Sequence, residues 1–277
     1  MRECHDRAMA TSRTVLITGC SSGIGKACCE RLSRSGRRVY GASRSACEPE
    51  GWRYVPMDVR DEASVEQAVA AVLAAEGRID ALVHGAGISL AGSIEDTTVE
   101  EAKGHFDINF FGTVRVVRAV LPQMRAQSGG RIIVIGSIGG LIALPYISHY
   151  SAAKFALDGL VEALRMEVGP LGIEACIVHP GDFNTGIIAN QSFSAKAYDD
   201  QSAYAEACRS IVELYDLNVR RAPSPDVVAK RVDRLLSRRR LPVRSLVGSP
   251  IEIGAVWLKS VISGRGFEAL FRKAYKL

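Results

Sequence analysis

Short runs of almost uninterrupted apolar residues alternate with segments of helical period from residue 13 to about residue 248. Runs such as ALVHGA and RIIVIGS do not alternate polar with apolar side chains, which is typical of strands buried on both faces of a parallel sheet. The predicted strands are Arg13–Thr18, Arg38–Ser43, Arg53–Met57, Asp80–Ala86, Arg131–Ser137, Ile173–His179 and Val243–Val247. The predicted helices lie near 24–35, 62–75, 98–126, 150–168 and 225–238. The alternation predicts a single α/β domain over residues 13–248, a doubly wound parallel sheet of about seven strands with helices on both faces.

The composition is that of an ordinary globular protein, because 277 residues with 47% hydrophobic and 23% charged residues suffice for one large core. No apolar run approaches the roughly 18 residues of a membrane-spanning helix, and residues 1–13 lack the apolar centre of a secretory signal. The seven cysteines form no C-x-x-C pair, which favours reduced thiols over disulfides or a zinc site. We therefore expect a cytoplasmic protein with no bound metal and a loose tail over residues 1–12.

The charge is distributed unevenly along the chain. Residues 220–277 carry a net charge of +10, whereas the rest of the chain carries −5. The basic, amphipathic extension over residues 249–277 could lie on an anionic membrane surface, but we favour an extension that folds back over a pocket or a subunit. The run Arg238-Arg239-Arg240 lacks interleaved aromatic residues and a recognised module, so it indicates a helix-end charge cluster rather than nucleic-acid binding.

A glycine-rich turn, TGCSSGIG, joins the first predicted strand to the first predicted helix. Glycines at positions 19, 23 and 25 allow a tight turn and a close approach of the backbone to a phosphate. The N-terminus of the following helix supplies free N–H groups and a favourable dipole. This placement favours dinucleotide binding over a purely structural turn.

Tyr150 and Lys154 are four residues apart in a predicted helix and therefore share one face of it. They follow Ser137, which closes the fifth predicted strand. A free phenol has a pKa of about 10, and a nearby ammonium favours its ionised form. The pair therefore suits the exchange of a proton with an alcohol oxygen. A hydrolase is not indicated, because the chain has no G-x-S-x-G motif.

The glycine spacing is G-x-x-x-G-x-G, and with the elements that follow it the chain resembles the short-chain dehydrogenase/reductase family over about residues 12–248. The elements recur in order as TGCSSGIG at 18–25, Asp58-Val59, HGAG at 84–87, Asn109, Ser137, Tyr150-x-x-x-Lys154 and PGDFNT at 180–185. The resemblance implies a single-domain Rossmann fold. The segment Asn184-Thr185-Gly186 and the C-terminal extension are most similar to hydroxysteroid and retinol dehydrogenase relatives.

The resemblance implies four catalytic residues, which are Asn109, Ser137, Tyr150 and Lys154. It has Ser137 bind the substrate oxygen while Tyr150 exchanges its proton. Lys154 is expected to lower the pKa of Tyr150 and to hold the ribose hydroxyls of the nicotinamide. Asn109 would order a water for proton relay; alternatively it is a buried asparagine that braces a helix kink.

The residues expected to bind the cofactor are Thr18, Gly19, Ser21, Ser22, Gly23, Ile24, Gly25, Ser43, Arg44, Asp58, Val59, His84, Gly85, Ala86, Gly87, Tyr150, Lys154, Pro180, Gly181, Phe183 and Thr185. By resemblance, Asp58 receives the adenine amino group and Thr185 binds the carboxamide. His84 and Gly85 stand where the family usually has two asparagines, so His84 is interpreted as a structural substitute.

Ser43-Arg44 closes the second predicted strand, where an acidic residue would bind the ribose 2′-hydroxyl of NAD. A guanidinium can bind a phosphate with two hydrogen bonds, so the sequence favours NADP(H) over NAD(H). The alternative is that Arg44 is only a solvated charge at a strand end.

Residues 186–222 lie where the family has its variable substrate lid, and their aromatic and aliphatic residues favour a lipophilic substrate. The expected substrate-binding residues are Ser137, Gly139, Leu144, Tyr146, His149, Tyr150 and Phe183. We therefore expect an NADP(H)-dependent oxidoreductase that interconverts a ketone or aldehyde and an alcohol on a steroid-, retinoid- or lipid-like molecule. The alternatives are a catalytically silent NADP(H)-sensing protein and a reductase of smaller or acyl-thioester carbonyl substrates. The resemblance also implies a homodimer or homotetramer.

Overall fold

The apolar runs form one sheet in a computed structural model, which describes residues 14–185 and 191–275. The predicted tail over residues 1–12 and the lid residues 186–190 lie outside this range. In the first half of the chain the elements are β1 (Thr14–Thr18), α1 (Gly23–Arg34), β2 (Arg38–Ser43), β3 (Arg53–Pro56), α2 (Glu62–Glu76), β4 (Ala81–His84), β5 (Leu90–Ala91), α3 (Val99–Phe106) and α4 (Gly112–Ala126). In the second half they are β6 (Gly130–Ile135), α5 (Ser148–Val168), β7 (Ile173–Pro180), β8 (Ser192–Phe193), α6 (Ala205–Arg221), α7 (Asp226–Leu236), β9 (Arg244–Val247), α8 (Pro250–Val261) and α9 (Gly264–Tyr275).

Seven of the strands in the described residues form one sheet in the order β3-β2-β1-β4-β6-β7-β9, and every pair in it is parallel. The order reverses between β1 and β4. In an open parallel sheet such a switch point leaves a crevice at the carboxyl ends of the strands, where ligands bind. The doubly wound α/β prediction is confirmed, and all seven predicted strands belong to this sheet.

Neighbouring residues of the central strands pack into opposite apolar layers. On β1, Leu16 belongs to one buried cluster, whereas Val15 and Ile17 belong to the other. On β6, Ile132 and Ile133 divide in the same way. Helices cover both faces, so most positions along these strands are apolar, which explains the nearly uninterrupted runs in the sequence.

The segment predicted as one helix over 98–126 is divided. A π-helical turn, Asp107–Phe111, separates α3 from α4. Within this turn the side chain of Asn109 donates to the carbonyl oxygen of His105 at 3.1 Å, and Thr113 Oγ1 donates to the carbonyl oxygen of Asn109 at 3.0 Å. These side-chain bonds supplement the helical hydrogen bonds at the widened turn, and such turns are frequent at functional sites.

The C-terminal extension forms α8 and α9, and its contacts return it to the carboxyl edge of the sheet. Ser249 and Glu252 form a capping box at the start of α8. Glu252 Oε1 also accepts from the backbone N–H of Asp182 at 2.6 Å, and the ring of Tyr275 lies 5.6 Å from that of Tyr215. Trp257 remains 65% exposed on the other side of α8. Among residues 14–185 and 191–275, no helix is long and apolar enough to cross a membrane.

Candidate active site

The glycine turn between β1 and α1 is shaped by close backbone contacts. Gly19 has φ +76°, a left-handed conformation that favours glycine. A Cβ on Gly25 would lie 2.1 Å from the carbonyl oxygen of Gly19, so only glycine lets the start of α1 approach the turn. The backbone N–H groups of Gly19 and Cys20 both donate to the carbonyl oxygen of Ala42, at 2.8 and 3.3 Å, which joins the turn to β2.

The start of α1 has the properties of an anion site. Ser22 precedes the helix without capping it through its side chain, and the first turn contains no acidic residue. The first N–H groups of a helix have no partner within the helix, so here they can bind the phosphates of a dinucleotide. The residues present therefore fit such a cofactor.

His84 and Thr18 join the ends of β4 and β1 beside this turn. The Nδ1 atom of His84 lies 2.9 Å from Thr18 Oγ1, and Thr18 Oγ1 also accepts from the backbone N–H of Gly85 at 3.1 Å. His84 is fully buried, and burial lowers its pKa to about 3. This neutral, interstrand position supports the interpretation of His84 as a structural residue.

Ser137 and Tyr150 lie together at the carboxyl edge of the sheet. Ser137 follows β6, and its Oγ accepts from the backbone N–H of Gly139 at 3.0 Å. Tyr150 lies in the first turn of α5, and its side chain interacts with that of Ser137. A Cβ on Gly139 would lie 3.3 Å from Tyr150 Cε1, so this glycine keeps the space beside the phenol narrow but open.

The pKa of Tyr150 depends on burial and on neighbouring polar groups. Burial raises the pKa of Tyr150, the hydrogen bond with Ser137 opposes this rise, and the charge of Asp182 adds to it. Lys154 is not among the causes of this rise, so the lowering expected from Lys154 stays a prediction. The Lys154 Nζ atom lies 5.6 Å from the centre of the tyrosine ring and donates to the carbonyl oxygen of Ile135 at 3.0 Å. Burial lowers the pKa of Lys154 to about 8.

Asn109 lies near Lys154 and braces the segment that contains Gly87 and Ile88. Its Oδ1 accepts from the backbone N–H of Ile88 at 3.2 Å, which ties the π-helical turn to the segment after β4. A Cβ on Gly87 would lie 2.7 Å from Asn109 Oδ1 and 3.8 Å from Lys154 Nζ. These contacts agree with the bracing alternative, and the expected relay water stays a prediction.

A cavity of about 560 Å³ runs from the glycine turn to Tyr150. Every predicted catalytic residue lines it, as do all predicted cofactor-binding residues except Thr18, Asp58 and His84. Of the predicted substrate-binding residues, Gly139, Tyr146 and His149 lie outside the lining. The cavity also has walls that the sequence did not single out, including Ile147 after the Ser137 loop and Val219 on α6.

The remaining predicted residues have other contacts. Asp58 forms an ion pair with Arg60 at 2.6 Å, and its hydrogen bond with Arg60 is the main cause of its lowered pKa. Tyr146 has φ +60°, and its carbonyl oxygen accepts from the backbone N–H of Gly92 at 2.8 Å. His149 is half-buried, and burial lowers its pKa.

A buried network behind Ser137 was not predicted from the sequence. The Nδ1 atom of His179, on β7, lies 2.8 Å from the carbonyl oxygen of Ser137, and its Nε2 lies 3.0 Å from Asp158 Oδ1. Arg244, on β9, donates to both oxygens of Asp158 at 2.8 and 2.7 Å. Burial would raise the pKa of Asp158, but the bonds from His179 and Arg244 outweigh it and lower that pKa.

Within the described part of the chain, no group of three histidine, cysteine or acidic side chains is arranged to hold a metal ion. The groups lining the cavity that could exchange a proton are the hydroxyls of Ser137 and Tyr150 and the ammonium of Lys154. Together with the glycine turn at the other end of the same cavity, they suit proton exchange beside a bound dinucleotide.

Comparisons with known proteins agree with this arrangement. The model of the short chain dehydrogenase family matches residues 13–195. A 3-ketodihydrosphingosine reductase of Bacteroides thetaiotaomicron is 39% identical over 240 residues, which cover 86% of this chain and 89% of that protein. Human 17-beta-hydroxysteroid dehydrogenase type 1 is 38% identical over 191 residues, covering 63% of this chain and 58% of that protein. The solved structure of a short-chain dehydrogenase from Streptomyces avermitilis superposes with a TM-score of 0.80 at 32% identity, covering 96% of this chain and 98% of that one.

Proposed function

The chain belongs to the short-chain dehydrogenase/reductase family, an oxidoreductase family acting on carbonyl and alcohol groups, and we propose that it interconverts a lipophilic ketone and its alcohol with NADP(H). The observation that carries the proposal is that Ser137, Tyr150 and Lys154 line the same cavity as the glycine turn. A catalytically silent protein has no need to keep a phenol, a hydroxyl and an ammonium at this position.

The mechanism follows from the protonation of these groups. The dinucleotide supplies the hydride for reduction and takes it up in oxidation. Because the pKa of Tyr150 is raised, its phenol holds a proton at neutral pH and can deliver it to the oxygen of a ketone under reduction. Ser137 Oγ already accepts from Gly139, so its own proton can be directed to Tyr150 or to the substrate oxygen. Lys154, with a pKa of about 8, can return a proton to the site near neutral pH.

The preference for NADP(H) rests on Arg44. This exposed side chain follows β2 and lines the cavity, and the neighbouring Ser43 carries no charge that would repel a 2′-phosphate. Asp58, after the neighbouring strand, is paired with Arg60. A guanidinium at this end of the cavity supports recognition of a phosphate on the adenosine ribose.

Replacing Arg44 with alanine should raise the Michaelis constant for NADPH about tenfold or more, because a hydrogen bond between charged groups contributes about 1.5–3 kcal/mol. The constant for NADH should change little, since NADH has no 2′-phosphate. Initial rates measured over a range of NADPH and of NADH concentrations give the two Michaelis constants. Arg34→Ala is the matched control, because it removes the same charge from an exposed position at the end of α1. Equal effects of Arg44→Ala on both cofactors would refute the assignment.

The substrate proposal rests on the walls of the cavity around Tyr150. Leu144, Ile147 and Val219 supply aliphatic surface, and Tyr215 adds an aromatic ring from α6. Such a lining favours apolar molecules. Two relatives are named for ketodihydrosphingosine and hydroxysteroid chemistry, which supports a lipid-like ketone for this chain as well.

A panel of carbonyl compounds tests the proposed function. Long-chain β-keto amines, steroid ketones, short polar ketones and an acetoacetyl thioester would each be supplied with NADPH and with NADH, and nicotinamide absorbance would be followed. We expect the highest kcat/KM for a lipophilic ketone with NADPH. A best substrate among the short polar ketones or thioesters would contradict the substrate class, and the absence of turnover with every carbonyl and alcohol would contradict the oxidoreductase itself.

A further inference from the structure

Three thiols converge behind the glycine turn. Cys20 belongs to the turn, Cys29 to α1, and Cys47 to the loop after β2. The Sγ atoms of Cys20 and Cys47 are 3.6 Å apart, and the side chain of Cys29 interacts with that of Cys20. Cys20 and Cys29 are fully buried, whereas Cys47 is only half-buried. The proposed mechanism uses none of these thiols.

We propose that Cys20 and Cys47 are a redox modification site, at which a peroxide converts the two thiols into a reversible disulfide that weakens the binding of a 2′-phosphorylated dinucleotide. The formation of the bond is independent of the proposed function. Its effect on binding rests on the proposed function, because it requires the cofactor to bind beside this pair.

The reaction balances with hydrogen peroxide as the oxidant. The sulfur of Cys20 attacks one peroxide oxygen; an S–O bond forms, the O–O bond breaks, and the departing hydroxide leaves as water with the thiol proton. The sulfur of Cys47 then attacks the sulfur of Cys20; the S–S bond forms, the S–O bond breaks, and the second hydroxide leaves as water with the proton of Cys47. Two thiols lose two electrons in total, and one peroxide gives two waters.

The two cysteines suit these roles differently. The hydrogen bond with Cys29 is the main cause of a lowered pKa of Cys20, about 6, which favours the thiolate that reacts with peroxide. Cys47 is the neighbour open to solvent, and peroxide, which is close to water in size, reaches the pair from that side. A thiolate of low pKa beside a resolving thiol is typical of redox-sensor cysteines, and solvent reaches this pair through Cys47.

Formation of the bond would move the loop that carries Cys47. A disulfide holds its sulfurs about 2.05 Å apart, so the present separation of 3.6 Å must shorten by about 1.5 Å. Cys20 is held in place, because its N–H and that of Gly19 both donate to the carbonyl oxygen of Ala42. The shift therefore falls on the loop after β2, which begins with Arg44.

The test uses the full chain, first reduced and then treated with hydrogen peroxide. Peptide mapping by mass spectrometry should identify a linked pair of peptides that contain Cys20 and Cys47, and dithiothreitol should remove the link. Fluorescence titration with NADPH should show binding weakened about tenfold after oxidation and restored after reduction. In Cys47→Ser, no link should form, and dimedone should label a sulfenic acid at Cys20. Cys208→Ser is the control and should behave like the wild type, since Cys208 lies on α6.

The outcomes separate the two proposals. A peroxide-treated chain without the Cys20–Cys47 link overturns the modification site, whatever its cofactor preference. A link that leaves NADPH binding unchanged overturns the effect on binding. If the link forms while Arg44→Ala leaves the cofactor preference unchanged, the modification site stands and the NADP(H) assignment fails.

Discussion

Tyr150→Phe should reduce turnover by about 10²- to 10⁴-fold, the contribution typical of a positioned general acid or base. The variant removes only the hydroxyl of the side chain that interacts with Ser137 and leaves the ring packed in a buried cluster with Ala91 and Ile147. The fold and the binding of NADPH should therefore persist. Steady-state kinetics with the best substrate of the carbonyl panel measure the loss, and fluorescence titration measures NADPH binding.

Tyr204→Phe provides the matched control for this variant. It removes the same atom from an exposed tyrosine whose hydroxyl donates to Glu95 at 2.8 Å, outside the lining of the cavity. Turnover of Tyr204→Phe should stay close to that of the wild type. Wild-type turnover in Tyr150→Phe would refute the acid–base role, and a loss of NADPH binding together with turnover would indicate that the phenol acts in binding instead.

Gly25→Ala should destabilise the chain by about 3 kcal/mol or more, at the upper end of the usual cost of overpacking. The added Cβ would lie 2.1 Å from the carbonyl oxygen of Gly19 and 2.6 Å from its carbonyl carbon. Both atoms belong to the backbone of Gly19, which cannot move away easily because its N–H donates a hydrogen bond to the carbonyl oxygen of Ala42. Urea unfolding followed by circular dichroism measures the free energy of unfolding, and NADPH binding should be lost with the shape of the turn.

The matched control is Gly159→Ala in α5, where an added Cβ meets no atom within 4 Å. Alanine is favoured over glycine in a helix by about 0.8–1.0 kcal/mol, so this variant should be as stable as the wild type or more stable. Equal free energies of unfolding for Gly25→Ala and Gly159→Ala would contradict the close contact between the helix and the turn.

The sheet and the position of the site could be predicted because both depend on local patterns. A strand covered by helices on both faces is apolar at most positions, so the runs around Leu16 and Ile132 were recognisable in isolation. The carboxyl ends of parallel strands share one edge of the sheet. Residues at the ends of strands, such as Ser43, or just after them, such as Ser137, therefore lie along one cavity.

The features that were missed depend on contacts between distant segments. The π-helical turn at Asn109 is braced by Ile88, and the sequence does not state that the two residues meet. Spacing along a helix reports the neighbour Lys154 but not the burial of the phenol, which raises the pKa of Tyr150. His179 follows the pattern of a buried strand, and only its partners Ser137 and Asp158 reveal a positioning role.

The network behind Ser137 also bears on how the site is completed during synthesis of the chain. Ser137 is held by His179, His179 by Asp158, and Asp158 by Arg244 on the last strand of the sheet. A nascent chain that ends before β9 already contains all four predicted catalytic residues, but it lacks Arg244, which holds Asp158 in place. Ser137 is therefore fully braced only after β9 has been synthesised and has joined the sheet.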